Sequence, residues 1–349
     1  MNICYLIPSL DKTGPSNVVE DIVSLLSPDN NITVYYFNDS LGDTIELNCK
    51  VEKLSFFYFS KIKNFDIVHS HMFKSDLFVF LDKILHKLLL RKTRYISIST
   101  LHQIDVINFP FDYNSKFKGY FLSYIWRVLL SCHDSVVCIS EQMSNFYKKR
   151  IINKNISTIY NGRSFPKSSV NRVDNKENVK KLVTCCLLTK RKGLEQVIKV
   201  LPRFGNLKFI ILGDGPEKQS LQKLSRELGC SERVVFEGFV KNPQDFLVHA
   251  DAFILPSRGE GFPLSLLEAA SLKLPCIVSN LDMLLDAFEK DELSFFNLDD
   301  LDSLQMAIKN CFDNKDSYIN NLYSKYLGNF TKEKMAENYM CHYKNLLKM

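Results

Sequence analysis

Short apolar runs alternate along the chain with longer segments in which apolar residues recur at helical spacing. The short runs predict β-strands and the longer segments predict amphipathic helices. The predicted strands are residues 3–7, 32–37, 67–69, 95–100, 135–139 and 157–160, followed by a second series at 181–187, 208–212, 234–237, 252–255 and 276–279. Helical patterns lie between them, for example at residues 16–26, 194–201, 217–228 and 263–272. Strands that alternate with helices predict an α/β protein with parallel sheets that carry helices on both faces.

The boundary between the two series lies at residues 163–180, which are rich in Ser, Lys, Asn and Pro and poor in large apolar side chains. That composition is typical of an interdomain linker. The 349 residues are also enough for two domains of ordinary size. We therefore expect two Rossmann-like, doubly wound domains, residues 1–165 and 166–330, facing a central cleft, with ligands at the carboxyl ends of the strands. Residues 331–349 are predicted to form a final helix.

Composition and charge narrow the function classes. Hydrophobic residues make up 46% and charged residues 24% of the chain, which is ordinary for a folded soluble protein and excludes disorder, collagen and coiled coil as the main architecture. The net charge of +6 is too small to indicate nucleic acid as a partner. It suits anionic ligands or an anionic membrane surface.

Cysteine usage and the N-terminal segment indicate a compartment. The ten cysteines are scattered without any CxxC pair, and several lie in apolar runs, where a free thiol behaves as a small hydrophobe. We expect buried thiols in a reducing environment, with no disulfide framework and no zinc site. The first residues lack the basic segment of a signal peptide, and no apolar run reaches the roughly 18 residues of a membrane span. The expectation is a cytoplasmic protein.

The segment with the most chemistry is residues 255–268, which read LPSRGEGFPLSLLE. The segment follows an apolar strand, turns through Gly259 and Gly261, and enters a helix near Pro263. Proline suits the first helical turn, where its missing N–H would be unpaired in any case. The backbone N–H groups of residues 264–266 would then lie at the positive end of the helix dipole, where they could bind an anion such as a diphosphate.

Two carboxylates flank the expected phosphate position. Glu260 lies in the loop before the helix and Glu268 within the helix. A carboxylate accepts two hydrogen bonds at once, so each can hold a vicinal diol, one on a ribose and the other on a sugar. Two glutamates alone would indicate no more than a capped helix with a surface carboxylate. The strand, glycine pair, proline and helix in register favour the anion site.

The same segment resembles a family signature. EGFPLSLLEA, from Glu260 onward, is similar to the E-x7-E signature of retaining GT-B glycosyltransferases, especially family 4, and further family landmarks follow in order along nearly the whole chain. In the first half they are the initial loop that contains Gly14, FDIVHSH at 65–71, STLH at 99–102, CISE at 138–141 and IYNG at 159–162. In the second half they are RKG at 191–193, ILGDGPE at 211–217 and VFEG at 235–238. The ordered series carries the resemblance, and no single match does.

The resemblance implies the GT-B fold, in which the C-terminal helix returns to the N-terminal domain, and it implies a role for several residues. Glu268 would bind the nucleotide ribose and Glu260 the hydroxyls of the donor sugar. Lys192 would neutralise the donor diphosphate, and His102 would lie near the donor sugar and phosphate. The expected catalytic residues are His102, Glu260 and Lys192. The expected donor-binding residues are Gly14, Arg191, Lys192, Glu260, Gly261, Phe262, Pro263, Leu264, Ser265 and Glu268.

The sequence departs from the family pattern in two places. The family usually carries an arginine five or six residues before the lysine of its KG motif, and this chain has Leu187 and Cys186 there. Lys190, Arg191 or Arg258 would have to supply the missing charge. Where the family has a GG.pE loop after the last predicted strand, this chain reads NLDMLLD.

No metal or other cofactor is expected. His69 and His71 have the spacing of a metal-binding pair, but no third ligand is evident and we interpret them as structural. The family is generally independent of metal ions, because lysine and helix-end amides stabilise the leaving group in place of a divalent cation.

Two neighbouring stretches favour contact with an anionic membrane surface. Residues 83–94 carry basic residues and no acid, interleaved with apolar ones, and residues 109–126 hold eight aromatics, Trp126 among them. A basic amphipathic helix of this kind can lie on anionic headgroups. An ordinary core-facing helix with a solvated basic face remains the alternative.

Together these features predict a retaining glycosyltransferase. The expected donor is a nucleoside-diphosphate sugar. The expected acceptor is a saccharide or a lipid-linked saccharide, in polysaccharide, O-antigen or capsule biosynthesis. A sugar-nucleotide epimerase of the same fold and a non-catalytic GT-B-like binding subunit are the alternatives. Nucleic acid is not an expected partner.

Overall fold

The computed structural model describes residues 1–56, 58–89, 93, 95–106, 109, 115–153, 155–165 and 179–348. The chain forms two compact units, one of Met1–Gly162 with Thr331–Met349 and the other of Arg163–Phe330. The chain passes between them at residues 162–163 and 330–331, and the first passage lies close to the boundary expected after residue 165.

The first unit is built on a parallel sheet, in which the described residues form seven strands in the order β3-β2-β1-β4-β5-β6-β7. These are β1 (Asn2–Ile7), β2 (Asn31–Tyr36), β3 (Lys50–Lys53), β4 (Ile67–His71), β5 (Ile96–Leu101), β6 (Ser135–Cys138) and β7 (Ile156–Thr158). Its first helices are α1 (Gly14–Leu26), α2 (Phe73–Leu88), α3 (Lys116–Leu130) and α4 (Glu141–Lys148). Every residue of β4 is buried, as expected for a central parallel strand covered on both faces.

The second unit repeats this architecture. Its described strands form a parallel sheet in the order β10-β9-β8-β11-β12-β13. They are β8 (Lys180–Cys185), β9 (Leu207–Leu212), β10 (Val234–Gly238), β11 (Ala252–Leu255), β12 (Cys276–Ser279) and β13 (Ser294–Phe296). The helices are α5 (Leu194–Val200), α6 (Lys218–Glu227), α7 (Gln244–Leu247), α8 (Leu264–Ser271), α9 (Asp282–Ala287), α10 (Leu301–Asp313) and α11 (Lys315–Asn329).

The C-terminal helix α12 (Lys332–Leu347) belongs to the first unit, where it packs against α1. The side chain of Thr331 caps its N-terminus by accepting a hydrogen bond from the N–H of Lys334. Its buried face carries Tyr339 and Tyr343. The Tyr343 hydroxyl lies 2.9 Å from the hydroxyl of Tyr5 in β1, so the helix is joined to the centre of the sheet by a polar contact as well as by packing.

In the described part of the chain, no helix is both long and apolar enough to cross a bilayer.

Candidate active site

Two loops of the second unit meet at Gly193. The residue adopts a left-handed conformation with φ of 62°, between the turn Lys190–Lys192 and α5. A Cβ atom placed there would lie 2.2 Å from the carbonyl oxygen of Pro256, in the loop that follows β11. The side-chain amide of Gln196 joins the loops by donating to the carbonyls of Gly193 (3.2 Å) and Pro256 (3.1 Å). Glycine is therefore required on both conformational and steric grounds.

This contact brings two cations onto Glu260. The ammonium Nζ of Lys192 lies 2.5 Å from Oε1 of Glu260, and Nη1 of Arg191 lies 3.6 Å from Oε2. The Ser257 hydroxyl also donates to Oε1, at 2.6 Å. The side chains of Lys192 and Glu260 are only 14% and 8% exposed. Burial alone would raise the pKa of Glu260, but Lys192 and Arg191 outweigh it and hold that pKa below its ordinary value. The carboxylate is therefore ionised at neutral pH.

The same geometry separates the basic residues that could replace the missing family arginine. Arg258 turns to other partners, with Nη2 at 2.6 Å from Glu195 and 2.5 Å from Asp299. Lys190 is exposed. Arg191 points into the site, where its Nη1 also donates to the carbonyl of Gly259 at 2.6 Å. Among the three, Arg191 is thus the one whose side chain contacts Glu260 together with Lys192.

Helix α8 starts where the sequence predicts it. Pro263 occupies the N-cap, Leu264 and Ser265 open the first turn, and among the described residues no side chain caps it. Phe262, two residues after Glu260, is buried and packs on the rings of Phe288 and Phe330, with centroids 6.2 and 5.3 Å away. The first turn therefore keeps backbone N–H groups for an anion, while the preceding loop is anchored by aromatic packing.

Glu268 lies farther along α8 and is held by a residue that the sequence analysis assigned to the linker. Nε of Arg163 lies 3.1 Å from its Oε1. Arg163 directly follows the IYNG landmark, and this adjacency is the signal that would have marked it.

His102 and Gly14 belong to the first unit. Nε2 of His102 lies 2.8 Å from Nδ1 of His71, and the two rings are stacked. Burial lowers the pKa of His102 to about 3, so its imidazole is neutral at physiological pH. A Cβ atom at Gly14 would meet nothing within 4 Å among the described residues, so the protein itself imposes no steric need for glycine there.

The other histidine of the HSH sequence is part of a buried network. Nδ1 of His69 lies 2.6 Å from the Tyr343 hydroxyl, and Nε2 lies 2.7 Å from the Thr100 hydroxyl. Both ring nitrogens are thus occupied by protein hydroxyls, which fits the structural interpretation of His69. Across the described residues, no three His, Cys, Asp or Glu side chains come together as a metal site.

The stretches expected at a membrane surface divide into buried and exposed parts. Trp126 is buried against Phe109, with stacked rings 5.2 Å apart, so it belongs to the core rather than to a lipid-facing surface. Lys83 is bound to Asp134 at 2.8 Å and is largely buried, so it is also unsuited to headgroups. Arg91, Lys92 and Arg94 lie outside the described residues.

The exposed aromatic residues of these stretches that the structure describes lie on one face of α3. It consists of Phe117, Tyr120, Phe121 and Tyr124, which follow helical spacing. We call these four residues the outer face of α3. Phe117 is 84% and Tyr124 66% exposed.

Comparison with known proteins matches each unit to a glycosyltransferase family model. Residues 52–164 match the family model described as Glycosyltransferase Family 4, and residues 168–324 match the model described as Glycosyl transferases group 1. Together the two models span most of the chain. The chain is a glycosyltransferase, with the family 4 model over its first unit and the group 1 model over its second.

Two relatives that are named as glycosyltransferases agree with this result. The glycosyltransferase is 28% identical to the O-antigen biosynthesis glycosyltransferase WclY of Escherichia coli, over 100% of this chain and 99% of the relative. It is 26% identical to the UDP-Gal:alpha-D-GlcNAc-diphosphoundecaprenol alpha-1,3-galactosyltransferase of Escherichia coli, over 75% of this chain and 70% of the relative.

Solved structures confirm the expected GT-B fold. Sucrose-phosphate synthase from Thermosynechococcus elongatus superimposes with a TM-score of 0.81 at 16% identity, over 99% of each chain. Anabaena HepE in complex with UDP and glucose gives a TM-score of 0.80 at 15% identity, over 99% of this glycosyltransferase and 100% of HepE.

Proposed function

We propose that this glycosyltransferase moves a sugar from a nucleoside-diphosphate sugar to a lipid-linked saccharide, with retention of anomeric configuration, in the assembly of O-antigen or a related surface polysaccharide. The observation that carries the proposal is the placement of Lys192 and Arg191 on Glu260, directly before the N-terminus of α8. The pathway rests on relatives named for O-antigen biosynthesis and for a diphosphoundecaprenol acceptor.

The cations and the helix end suit the departure of a diphosphate. As the bond from the anomeric carbon to the phosphate oxygen breaks, the bonding electron pair leaves with the nucleoside diphosphate. Lys192 and Arg191 would stabilise that charge, helped by the N–H groups of Leu264 and Ser265 in the first turn of α8. Preorganised donors aimed at developing charge are commonly the largest single contribution to catalysis.

The remaining donor contacts follow from the chemistry of each side chain. Glu268 would accept hydrogen bonds from the ribose diol, and Glu260 from hydroxyls of the sugar. His102, neutral with a pKa of about 3, would exchange hydrogen bonds with sugar or phosphate oxygens without adding charge. Gly261 and Phe262 would shape the loop around the sugar.

Retention without a glycosyl-enzyme is favoured by the state of Glu260. Its oxygens are bound by Lys192, Arg191 and Ser257, and the lowered pKa makes it a weak nucleophile. The acceptor hydroxyl would therefore attack the oxocarbenium-like centre from the face that the diphosphate leaves, and its proton would pass to the departing phosphate oxygen. The anomeric proton coupling of the product, measured by NMR with an α-configured donor, tests the retention of configuration. A β-linked product would contradict it.

Donor identity is the first experiment. Thermal shift with UDP, GDP, ADP and their sugar conjugates should reveal the bound base, because a ligand that binds the folded state raises the melting temperature. The HepE complexes with UDP make UDP the first candidate. With the donor in hand, release of nucleoside diphosphate is measured with and without a lipid-linked saccharide. Turnover of the donor without acceptor would favour the epimerase, and no turnover would favour the non-catalytic subunit.

The outer face of α3 gives the proposal a membrane component. Four exposed aromatic side chains on one helical face, with the exposed Lys116 at the helix start, fit the interfacial region of an anionic bilayer. Helix α2 packs against α3 and exposes Leu88 and Lys87 near its C-terminal end. We assign this surface to an anionic leaflet, along which a lipid-linked acceptor would be reached.

Co-sedimentation with anionic and neutral liposomes over a salt series tests this assignment. The double change Phe117→Ser with Tyr124→Ser should remove the part of the binding that salt does not screen, because that part comes from aromatic insertion. Phe239→Ser is the matched control, because Phe239 is a 68% exposed phenylalanine of the second unit. Unchanged liposome binding of the double variant would contradict the assignment. A double variant that still binds liposomes but no longer associates with itself would also contradict it, because the face would then be a contact between copies of the protein.

A further inference from the structure

An ion pair links the start of the second unit to helix α8. Arg163, the first residue of that unit, places Nε 3.1 Å from Oε1 of Glu268, and the two side chains are 17% and 11% exposed. At this burial the pair is poorly screened by solvent, and loss of one partner removes a close opposite charge from the other. The contact is therefore stronger than an ordinary surface ion pair.

The backbone of Arg163 is held independently of its side chain. Its N–H donates to the carbonyl of Phe330 at 3.1 Å, and its carbonyl accepts from the hydroxyl of Tyr326 at 3.1 Å. The hydroxyl of Ser164 lies 2.7 Å from the same Tyr326 hydroxyl. The guanidinium therefore extends from a fixed backbone position, and its contact with Oε1 helps to fix the Glu268 carboxylate.

We propose that Arg163 is a positioning residue for ribose recognition: it sets the plane of the Glu268 carboxylate so that the carboxylate receives both hydroxyls of the ribose. The inference rests on the proposed function, in which Glu268 binds the ribose. The terminal torsion of glutamate is broad, so each hydrogen bond to the carboxylate narrows the range of planes that it samples. A charge-assisted hydrogen bond from Arg163 restricts that torsion. Each carboxylate oxygen has two lone pairs, so Oε1 can accept from Arg163 and from a hydroxyl together.

The readout is discrimination between ribose and its dideoxy form. UDP, GDP and ADP are titrated calorimetrically, and the one that binds most tightly is compared with its 2′,3′-dideoxy counterpart. Wild type should favour the ribose form by about 10- to 150-fold, the range for hydrogen bonds to a charged group. Glu268→Ala should bring the ratio close to one. Arg163→Ala should also lower this affinity ratio well below that of wild type, although Glu268 is still present.

Two further variants separate positioning from folding. Arg203→Ala is the control, because Arg203 is an exposed arginine of the same unit, paired with Asp302 on the surface, and it should keep the wild-type ratio. Arg163→Lys keeps the charge and should fold, but a single ammonium lacks the planar fork of donors. Its ratio should fall between those of wild type and Glu268→Ala.

The outcomes distinguish this inference from the function on which it rests. No binding of UDP, GDP or ADP to wild type would remove the proposed function. Ribose discrimination that is lost in Glu268→Ala and kept in full by folded Arg163→Ala would overturn the positioning role while leaving the function intact. If Arg163→Ala does not fold, a wild-type ratio in Arg163→Lys overturns the role equally.

Discussion

Replacing Lys192 with alanine removes a compact positive charge from the proposed diphosphate site. In the folded protein this ammonium contacts Oε1 of Glu260 at 2.5 Å, and both side chains are mostly buried. Arg191 at 3.6 Å and the Ser257 hydroxyl at 2.6 Å remain after the change. Glu260 therefore loses its nearest cation and keeps two weaker partners.

Two effects of different size follow for Lys192→Ala. Breaking a fully buried ion pair costs about 3–5 kcal/mol of stability, but the partners that stay on Glu260 bring the expected loss nearer the roughly 1–3 kcal/mol of an incompletely paired buried group. Turnover should fall by about 100- to 1000-fold, the usual effect of deleting one group that stabilises developing negative charge. Most of the protein thus stays folded while catalysis is nearly lost.

The assay is release of nucleoside diphosphate under saturating donor, with the free energy of unfolding measured by chemical denaturation on the same preparations. Lys190→Ala is the matched control, since Lys190 is an exposed lysine two positions away in the same turn, and its kcat should stay near that of wild type. Arg191→Ala should lose less turnover than Lys192→Ala. A folded Lys192→Ala variant with wild-type kcat, or an equal loss in Lys190→Ala, would refute the diphosphate role.

Further predictions concern stability, pH and metal ions. Gly193→Ala should lower the free energy of unfolding by roughly 1–3 kcal/mol, because φ is 62° and the new Cβ would lie 2.2 Å from a carbonyl oxygen of the facing loop. Gly205→Ala is the control and should change the free energy of unfolding little, because a Cβ there would meet no atom of the described residues within 4 Å. Burial lowers the pKa of His69 and of His71, so below about pH 6.5 the unfolded chain takes up protons that the folded chain does not. The free energy of unfolding, measured by chemical denaturation between pH 7 and 5, should therefore fall with pH by up to about 1.4 kcal/mol per pH unit for each histidine. Asp76, whose pKa burial raises to about 6, contributes the opposite trend below pH 6 but with a single proton, so stability that rises or stays level on acidification would contradict this account. EDTA should leave turnover largely intact, and a complete loss that Mg²⁺ or Mn²⁺ restores would show that the site needs a metal ion.

The central strands of both sheets were predictable because burial on both faces makes them short apolar runs. Strands β3 and β13 were missed because they are short and lie at a sheet edge, where one neighbour is lacking. Polar residues are tolerated in β3, whose residues are exposed or half-buried, whereas Ser294 and Phe296 of β13 are buried. β3 reads KVEK, and β13 has only the residues SFF. Neither length nor alternation separates such segments from loops.

The candidate site was predictable as far as local signals reach. The glycine pair, Pro263 and the start of α8 come from one continuous segment, and Lys192 from a motif. The contact between Arg163 and Glu268 joins residues 105 positions apart, and Arg163 stands in a polar stretch with the composition of a linker. Its position directly after the IYNG landmark marks Arg163 for attention, but no local pattern shows that its partner is Glu268.

Long-range contacts also explain why the segment formed by residues 255–268 holds its geometry. Gln196 donates to the carbonyl of Pro256 at the start of the loop, Phe330 packs on Phe262 near its end, and Arg163 holds Glu268 in the helix beyond it. Each contact fixes one part of the segment from a different element of the same unit. A site so constrained would need little reorganisation to bind the proposed diphosphate. Catalysis by preorganised charge depends on such a small reorganisation. Changes at these supporting contacts should therefore lower turnover even where no substrate atom is touched.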